Sequence, residues 1–282
     1  MRAQGVAVVT GASRGLGRAI ALELAVRGFD VVATMRDPDA GVGLPDEAAA
    51  RNGRLRVEAL DVEHAEAYEV PEGLRVLVNN AGLDGAYLPL EATPLEQWRA
   101  LFETNLFGVV ETTRRAVPSL RRSGGGVVCN ITSASLLFPM PFYSIYRASK
   151  AAVSALGESL HAELAGFGIR VLEILPGPIE TDMLAASDRP LEARELAAYR
   201  ELAERAHAGR RAVEGQTTSA AAAAAAIADA ILDDDGPLRR ACDPLGAALL
   251  EGWRASSDED WHVRMLAGFG VGEPPPEPEA EG

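Results

Sequence analysis

The stretch "VAVVTGASRGLGRAIALELAVRG", residues 6 to 28, joins a run of β-branched residues to a helical pattern through a turn with glycines at positions 11, 15 and 17. At such a junction glycines permit a tight turn, let backbone N–H groups approach a pyrophosphate and let the helix pack closely on the strand. The N-terminus of the helix favours negative charge. The spacing differs from GxGxxG and lacks the GK[ST] of a P-loop. The dinucleotide site is therefore predicted from the position of the turn, at the junction of the first strand and the first helix, rather than from the glycine spacing.

Five further apolar runs follow this first strand and show little internal alternation. Such runs indicate strands buried on both faces, as in a parallel sheet with helices on each side. The pattern predicts an α/β fold, a single doubly wound (Rossmann) domain over residues 1–270. The runs are "DVVAT" (30–34), "LRVEAL" (55–60), "RVLVNN" (75–80), "GVVCNIT" (126–132) and "IRVLEIL" (169–175).

The connections between the runs carry helix signals of unequal strength. Residues 93–123 open with Thr93, Pro94 and Glu96, which is typical of a capping box with proline at the first helical position, and predict a long helix. Residues 62–73 are barely long enough for a crossover and predict a short or irregular helix.

The C-terminal third of the chain gives weaker signals. Thr218 and Ser219 precede an alanine-rich run and predict a capped helix. "GPLRRACD" (236–243) is a candidate edge strand, and the polar segment 183–215 a candidate lid over the substrate. The acidic, proline-rich tail, residues 271–282, predicts disorder.

Composition limits the partners. The chain has 282 residues and a formal charge of -14 from 41 acidic and 27 basic side chains, so nucleic acid and anionic membranes are not expected partners and an anionic ligand needs a local basic pocket. No run is long enough to span a membrane and no signal peptide is visible, which predicts a cytoplasmic protein. Cys129 and Cys242 are expected to be buried free thiols, and no metal site is expected.

Six motifs occur in an order that resembles the short-chain dehydrogenase/reductase family over about residues 5 to 182: "TGASRGLG", "NNAG", "TNLFG", "NITSAS", "YRASK" and "LPGPIET". The C-terminal extension and "VVATMRD" resemble the hydroxysteroid and retinol dehydrogenase-like branch. The resemblance implies hydride transfer between a nicotinamide and the carbonyl carbon of a small-molecule substrate. It also implies a homodimer or homotetramer.

Two tyrosines compete for the catalytic position. The family's Tyr-x-x-x-Lys pair falls on Tyr146 and Lys150, while Tyr143 and Arg147 form a second pair with the same spacing. A nearby ammonium lowers the pKa of a phenol from its usual value of about 10. A guanidinium also does so, but it never gives up its proton and cannot join a relay. We therefore expect Tyr146 and Lys150 to be catalytic and Tyr143 to be substrate-pocket wall or packing.

Two further catalytic residues are implied by the resemblance. Ser133, thirteen residues before Tyr146, is expected to hold the substrate carbonyl, with Thr132 and Ser135 as hydroxyl rivals. Asn105 is expected to hold a water in a proton relay to the lysine, or to stabilise a helix irregularity, or both.

The resemblance also implies the cofactor contacts. The residues expected at the phosphates are Gly11, Ser13, Arg14, Gly15, Leu16 and Gly17, and those expected at the adenine are Asp61 and Val62. Asn80 is expected near the ribose, and Pro176, Gly177, Ile179 and Thr181 around the nicotinamide end. Tyr146 and Lys150 are expected to contact the cofactor as well. Asp61 has an alternative reading as a strand-end turn former.

Cofactor choice depends on the end of the second strand. NAD sites of this fold place a carboxylate there to bind the ribose hydroxyls. By resemblance this position is Met35, followed by Arg36, so Arg36 with Arg14 is expected to hold the 2'-phosphate of NADP(H). The alternative is NAD(H), with Asp37 turned inward.

The sequence therefore predicts an NADP(H)-dependent oxidoreductase that interconverts a ketone or aldehyde and an alcohol. An apolar steroid-, retinoid- or polyketide-like substrate is expected, since "LLFPMPF" (136–142) adjoins the site. The alternatives are a 3-ketoacyl thioester reductase, a sugar-nucleotide epimerase and a catalytically silent dinucleotide-binding sensor.

Overall fold

The computed structural model describes residues 1–187, 191–211 and 214–271. Seven parallel strands form one sheet in the order β3-β2-β1-β4-β5-β6-β9, with β7 and β8 paired in a second, two-stranded sheet. The predicted doubly wound fold is confirmed. The strands are β1 (Val6–Val9), β2 (Asp30–Met35), β3 (Arg54–Ala59), β4 (Leu74–Asn79), β5 (Gly126–Ile131), β6 (Ile169–Ile174), β7 (Ile179–Glu180), β8 (Thr218–Ser219) and β9 (Arg239–Arg240).

The helices are α1 (Gly15–Arg27), α2 (Leu44–Ala49), α3 (Leu95–Phe102), α4 (Gly108–Arg122), α5 (Ser144–Leu164), α6 (Asp182–Ser187), α7 (Arg200–Arg211), α8 (Ala220–Leu232), α9 (Pro244–Arg254) and α10 (Asp258–Ala267). A π turn, Glu103–Phe107, joins α3 to α4. Short 3-10 helices are Pro38–Gly41, Val62–Ala67, Leu90–Ala92, Ala134–Leu137, Ala165–Phe167, Glu192–Glu195, Ala197–Tyr199 and Glu214–Gln216.

Two apolar layers cover the faces of the large sheet. On one face α1 and the alanine-rich α8 pack together, with Ala223, Ala224 and Ile227 fully buried. On the other face, residues of α4 and α5 pack on β4 to β6. The Ser219 hydroxyl accepts a hydrogen bond from the Ala222 N–H at 3.2 Å, so the predicted cap of α8 is confirmed. The candidate edge strand is β9, beside β6.

The start of the long helix differs from the prediction. Helix α3 begins at Leu95 after Pro94, and none of the described side chains caps it. The Thr93 hydroxyl instead donates to the Pro89 carbonyl at 2.9 Å, because the chain enters α3 through the 3-10 turn Leu90–Ala92. The capping-box prediction is therefore wrong. The short crossover helix predicted after β3 is the 3-10 segment Val62–Ala67.

The proposed lid and tail fall partly outside the described residues. Within the lid segment, 183–215, the structure describes α6 from Met183 onward, the 3-10 turns Glu192–Glu195 and Ala197–Tyr199, α7 and the start of the 3-10 turn Glu214–Gln216. Leu191, Ala203 and Ala206 pack with Tyr87 and Phe142. Residues 272–282 of the predicted tail lie outside the described residues. Both cysteines are buried and free, as predicted. Over the described ranges, no helix combines the length and the apolarity that crossing a membrane requires.

Candidate active site

One cavity of about 330 Å³ lies at the carboxyl ends of β1, β4, β5 and β6. It includes the switch point between β1 and β4, where ligands bind in doubly wound sheets. All the predicted site residues except Asn105 line it: Gly11, Ser13, Arg14, Gly15, Leu16, Gly17, Arg36, Asp61, Val62, Asn80, Ser133, Tyr143, Tyr146, Lys150, Pro176, Gly177, Ile179 and Thr181.

The glycine turn, residues 11–17, is shaped by backbone that other residues could not easily adopt. Gly11 and Gly15 have φ values of +65° and +56°, in the left-handed region. A Cβ on Gly17 would lie 2.3 Å from Asn80 Nδ2 and 2.4 Å from the Gly11 carbonyl oxygen. None of the described side chains caps the N-terminus of α1, whose first residues line the cavity. This cradle fits a pyrophosphate on the helix N-terminus.

Asn80 holds the glycine turn in place. Its Nδ2 donates to the carbonyl oxygens of Thr10 at 2.9 Å and Gly11 at 3.2 Å. The Thr10 hydroxyl in turn accepts the N–H groups of Asn80 and Ala81, each at 3.0 Å. Asn80 is thus tied to the turn as well as lining the cavity.

At the carboxyl end of β2, the apolar and the charged side chains have different surroundings. Met35 is buried, whereas Arg36 is exposed and lines the cavity. The Asp37 carboxylate accepts the Asp39 N–H at 3.0 Å and begins a 3-10 turn. Arg14 lies 3.9 Å from Asp182, with both side chains more than 70% exposed. Both guanidinium groups line the cavity.

Asp61 combines the two roles considered for it. Its carboxylate accepts the Glu63 N–H at 3.2 Å and caps the 3-10 segment after β3, as a turn former does. The residue also lines the cavity beside Val62.

The two residues expected to be catalytic lie one turn apart on α5. The Lys150 Nζ donates to the Ile131 carbonyl oxygen at 2.9 Å and lies 5.8 Å from the centroid of the Tyr146 ring. Both side chains are buried. Burial lowers the pKa of Lys150 to about 8, because a charged ammonium is poorly solvated there.

The pKa of Tyr146 moves opposite to the expectation from the nearby ammonium. Burial raises it, and the negative charge of Asp84 raises it further, whereas a hydrogen bond with Ser133 lowers it. Loss of phenolate solvation outweighs the other effects. The predicted lowering of the Tyr146 pKa is therefore wrong in its net direction.

The three candidate hydroxyl groups lie in the serine turn, residues 133–137, or directly before it, and they have different surroundings. The Ser133 Oγ accepts the Ser135 N–H at 3.1 Å and lines the cavity. The Thr132 hydroxyl lies within 2.9 Å of Glu173 Oε1 and of the Ile174 carbonyl oxygen, so it is engaged in the core. Ser135 is buried and lies outside the cavity wall. Ser133 thus has the most suitable placement for a substrate.

Two long side chains from different helices, Arg147 on α5 and Trp261 on α10, bind the serine turn. The Arg147 Nε donates to the Ser135 carbonyl oxygen at 2.7 Å, so this guanidinium binds the serine turn. The indole of Trp261, on α10, donates to the Leu137 carbonyl oxygen. The turn is thereby connected to α5 and to the C-terminal helices.

Asn105 lies in the π turn, behind the cavity wall. Its Oδ1 accepts the Leu83 N–H at 2.7 Å, and its Nδ2 donates to the Leu83 carbonyl oxygen and to Ser149 Oγ, each at 3.0 Å. A Cβ on Gly82 would lie 3.3 Å from Asn105 Oδ1 and 3.4 Å from Lys150 Nζ. Asn105 therefore connects the loop after β4 to α5, beside the lysine.

Asp84 is a cavity residue that the sequence analysis missed. Its Oδ1 accepts the Gly85 N–H at 2.9 Å, and its Oδ2 accepts the Tyr87 hydroxyl. The Tyr87 ring stacks on Tyr143, with centroids 5.2 Å apart and planes 7° apart, and Tyr143 lies 5.0 Å from Tyr146. Asp84 follows "NNAG" in an irregular loop, where no periodic pattern marks it.

Asp243 is a second missed residue and holds the loop after β6. Its Oδ2 accepts the Gly177 N–H at 2.7 Å and its Oδ1 the Gly246 N–H at 2.8 Å. An Asp directly before Pro244 is an N-cap signal that could have been read. The contact with Gly177, 66 residues away, could not.

Comparison with known proteins agrees with this geometry. The short chain dehydrogenase family model matches residues 5–192. The uncharacterized oxidoreductase YusZ of Bacillus subtilis is 38% identical over 192 residues, 64% of this chain and 68% of that protein. The 3beta-hydroxysteroid dehydrogenase 1 of Eggerthella lenta is 35% identical over 197 residues, 66% and 75% of the two chains.

A solved short chain dehydrogenase from Burkholderia cenocepacia, in complex with NADP, has 29% identity and a TM-score of 0.73, covering 94% of this chain and 99% of that one. Both the sequence match and the structural match therefore extend over more than half of the chain. The chain belongs to the short-chain dehydrogenase family of oxidoreductases.

Proposed function

We propose that the protein is an NADP(H)-dependent oxidoreductase that interconverts a ketone or aldehyde and the corresponding alcohol. The observation that carries the proposal is a single cavity lined by the glycine turn at one end and by Ser133, Tyr146 and Lys150 at the other. The NADP complex of the Burkholderia cenocepacia relative supports the choice of cofactor.

The cofactor, when bound, supplies the hydride. The glycine turn is suited to the pyrophosphate, and residues 176–181 to the nicotinamide end, since both segments line the cavity. Arg36 and Arg14 supply positive charge for a 2'-phosphate in a protein whose net charge is -14. Asp37, directed to its own turn, leaves that position without a carboxylate for the ribose hydroxyls.

The chain's own residues handle the proton. Tyr146 gives its proton to the substrate oxygen as the carbonyl is reduced, and Ser133 donates a hydrogen bond to that oxygen. Burial and Asp84 raise the pKa of Tyr146, which keeps the phenol protonated at neutral pH and suits it to act as an acid. Lys150 and a water near Asn105 return a proton to Tyr146.

The substrate is apolar in this proposal. Leu83, Met183, Leu184 and Tyr143 line the cavity near the catalytic tyrosine, and the segment 183–215 acts as a lid. The similarity to a hydroxysteroid dehydrogenase supports an apolar substrate.

We also propose a homodimer or homotetramer in which the long helix from Pro94, here α3 and α4, and the helix that carries Tyr146, α5, pair across a two-fold axis. Leu95 on α3 and Phe107 in the π turn are more than half exposed, and Val110 on α4 lies one turn beyond Phe107. Apolar side chains on adjoining helices are suited to pairing across a two-fold axis. Sedimentation at micromolar protein concentration tests this, and a strict monomer contradicts it.

The enzymatic proposal is tested by following the oxidation of NADPH spectrophotometrically with steroid, retinoid, aliphatic and ketoacyl-thioester carbonyls. We expect turnover of apolar ketones or aldehydes. Absence of NADPH oxidation with every carbonyl contradicts the proposal, and turnover of the thioesters alone replaces the apolar substrate with the ketoacyl alternative.

A further inference from the structure

We propose that the Asp84 carboxylate binds the substrate directly and selects carbonyl compounds that carry an O–H or N–H donor, while it rejects anionic ones. This inference rests on the proposed function, because it assumes that the substrate occupies the cavity beside Tyr146. It adds a second polar contact, distinct from the groups that bind the carbonyl.

The carboxylate is held in a fixed position and retains acceptor capacity. The Gly85 N–H donates to one oxygen at 2.9 Å and the Tyr87 hydroxyl donates to the other. Each oxygen of an ionised carboxylate can accept two hydrogen bonds, so one acceptor site per oxygen remains for a ligand. Within the described part of the chain, Asp84 forms no ion pair.

Asp84 lies within electrostatic reach of the reacting end of the cavity. It lines the same cavity as Ser133 and Tyr146, and its charge raises the pKa of both Tyr143 and Tyr146. A substrate whose carbonyl oxygen contacts Tyr146 therefore extends past a negative charge. Leu83 and Met183 line the same cavity.

Arg210, in the proposed lid segment, binds the tyrosine that donates to the Asp84 carboxylate. Arg210, on α7, lies with its guanidinium carbon 4.3 Å from the centroid of the Tyr87 ring, and its Nη2 donates to the Tyr87 hydroxyl oxygen at 3.3 Å. The Tyr87 phenol thus lies between the Arg210 guanidinium, from which it accepts a hydrogen bond, and the Asp84 carboxylate, to which it donates one. This arrangement fixes Asp84 while leaving its cavity side negative, so a carboxylate or sulfonate on the substrate is repelled.

The test uses acetophenones that carry a methyl, hydroxymethyl, aminomethyl or carboxylate group at the meta or para position. With NADPH and wild-type enzyme, we expect kcat/KM for the hydroxymethyl or aminomethyl compound to exceed that for the methyl compound by about 10-fold, as for a hydrogen bond to a charged group. The carboxylate compound should be the poorest substrate. A gain for the ammonium alone indicates charge selection, and a gain for both indicates selection of any donor.

The matched variants are Asp84→Asn and Asp46→Asn, which remove the same charge. Asp46 is exposed on α2, outside the cavity. For each enzyme we compare kcat/KM for the hydroxymethyl or aminomethyl compound with kcat/KM for the methyl compound. We expect this ratio to fall to about one in Asp84→Asn, where the charged acceptor is lost, and to keep its wild-type value in Asp46→Asn. Equal kcat/KM for the four wild-type substrates, or an unchanged ratio in Asp84→Asn, overturns the inference.

A binding measurement separates this inference from the proposed function. The four ketones are titrated calorimetrically into the enzyme–NADP⁺ complex, in which the oxidised cofactor has no hydride to transfer. Failure of the proposed function shows as no NADPH oxidation with any carbonyl. Failure of the Asp84 contact shows as equal affinities for the methyl, ammonium and carboxylate compounds.

Discussion

The two ends of the cavity are built by different means. The end that we propose for the cofactor is built around backbone at neighbouring strand ends, where the glycine turn after β1 is held by Asn80, directly after β4. The end that we propose for the substrate is lined by Asp84 and Tyr143. These two side chains contact Tyr87, which in turn contacts Arg210, 123 residues away in sequence. Strand order determines the first end, and long-range packing determines the second.

This difference indicates where change is tolerated. At the cofactor end a glycine is required because backbone atoms fill the space that a side chain would take. At the end that we propose for the substrate, Tyr87 in the loop after β4 stacks on Tyr143 and makes a cation–π contact with Arg210 on α7. In our proposal the first end binds the cofactor, which is common to the family, and the second end carries catalysis and substrate selection.

The largest expected effect comes from Gly17→Ala at the cofactor end. The added methyl would lie 2.4 Å from the Gly11 carbonyl oxygen, so the glycine turn must move. We expect NADPH affinity, measured by fluorescence titration, to fall by about 100-fold or more, as for a displaced binding group.

Gly43→Ala is the control, because a Cβ there meets no atom within 4 Å. It should keep wild-type affinity. Normal NADPH binding by Gly17→Ala would show that the turn is not the cofactor cradle.

A smaller effect is expected from Arg36→Ala. Loss of a charged hydrogen bond to the 2'-phosphate should lower kcat/KM for NADPH by about 10-fold to 100-fold and leave NADH unaffected. Arg56→Ala, which removes an exposed guanidinium paired with Glu58, is the control. If wild-type enzyme prefers NADH, or if Arg36→Ala impairs both cofactors equally, the assignment of Arg36 is wrong.

The smallest effect is a pH shift at the substrate end. Asp84 raises the pKa of Tyr146, so Asp84→Asn should lower that pKa. Carbonyl reduction requires the protonated phenol, and the basic limb of the kcat/KM profile should therefore move to lower pH. The Lys150 ammonium, whose pKa is about 8, also prefers a nearby negative charge, so the direction is the same for either group. A limb that stays in place, or moves upward, contradicts this electrostatic role.

The sheet could be predicted from the sequence because buried parallel strands leave continuous apolar runs. Each of the six predicted runs contains a strand whose ends agree to within about a residue, and β9 was the candidate edge strand. The start of α3 was wrong because Thr93 finds its partner in the preceding turn, a choice that local spacing does not reveal.

The residues of the candidate site were likewise predicted only in part. The motifs identify residues at strand ends, and these line one cavity. Asp84 and Asp243 were missed because their importance depends on contacts made across the fold. The direction of the Tyr146 pKa was wrong because burial and an unmarked carboxylate, rather than the adjacent lysine, dominate it.

The central claim, that Tyr146 and not Tyr143 transfers the proton, is tested most directly by comparing Tyr146→Phe with Tyr143→Phe. The two phenols lie on adjacent rings, 5.0 Å apart, so each variant serves as the control for the other. We expect Tyr146→Phe to lower kcat for the best carbonyl substrate by at least about 100-fold, as for loss of a general acid, with NADPH affinity nearly unchanged. Tyr143→Phe should retain most of the activity. Equal losses in both variants, or an active Tyr146→Phe enzyme, would contradict the claim.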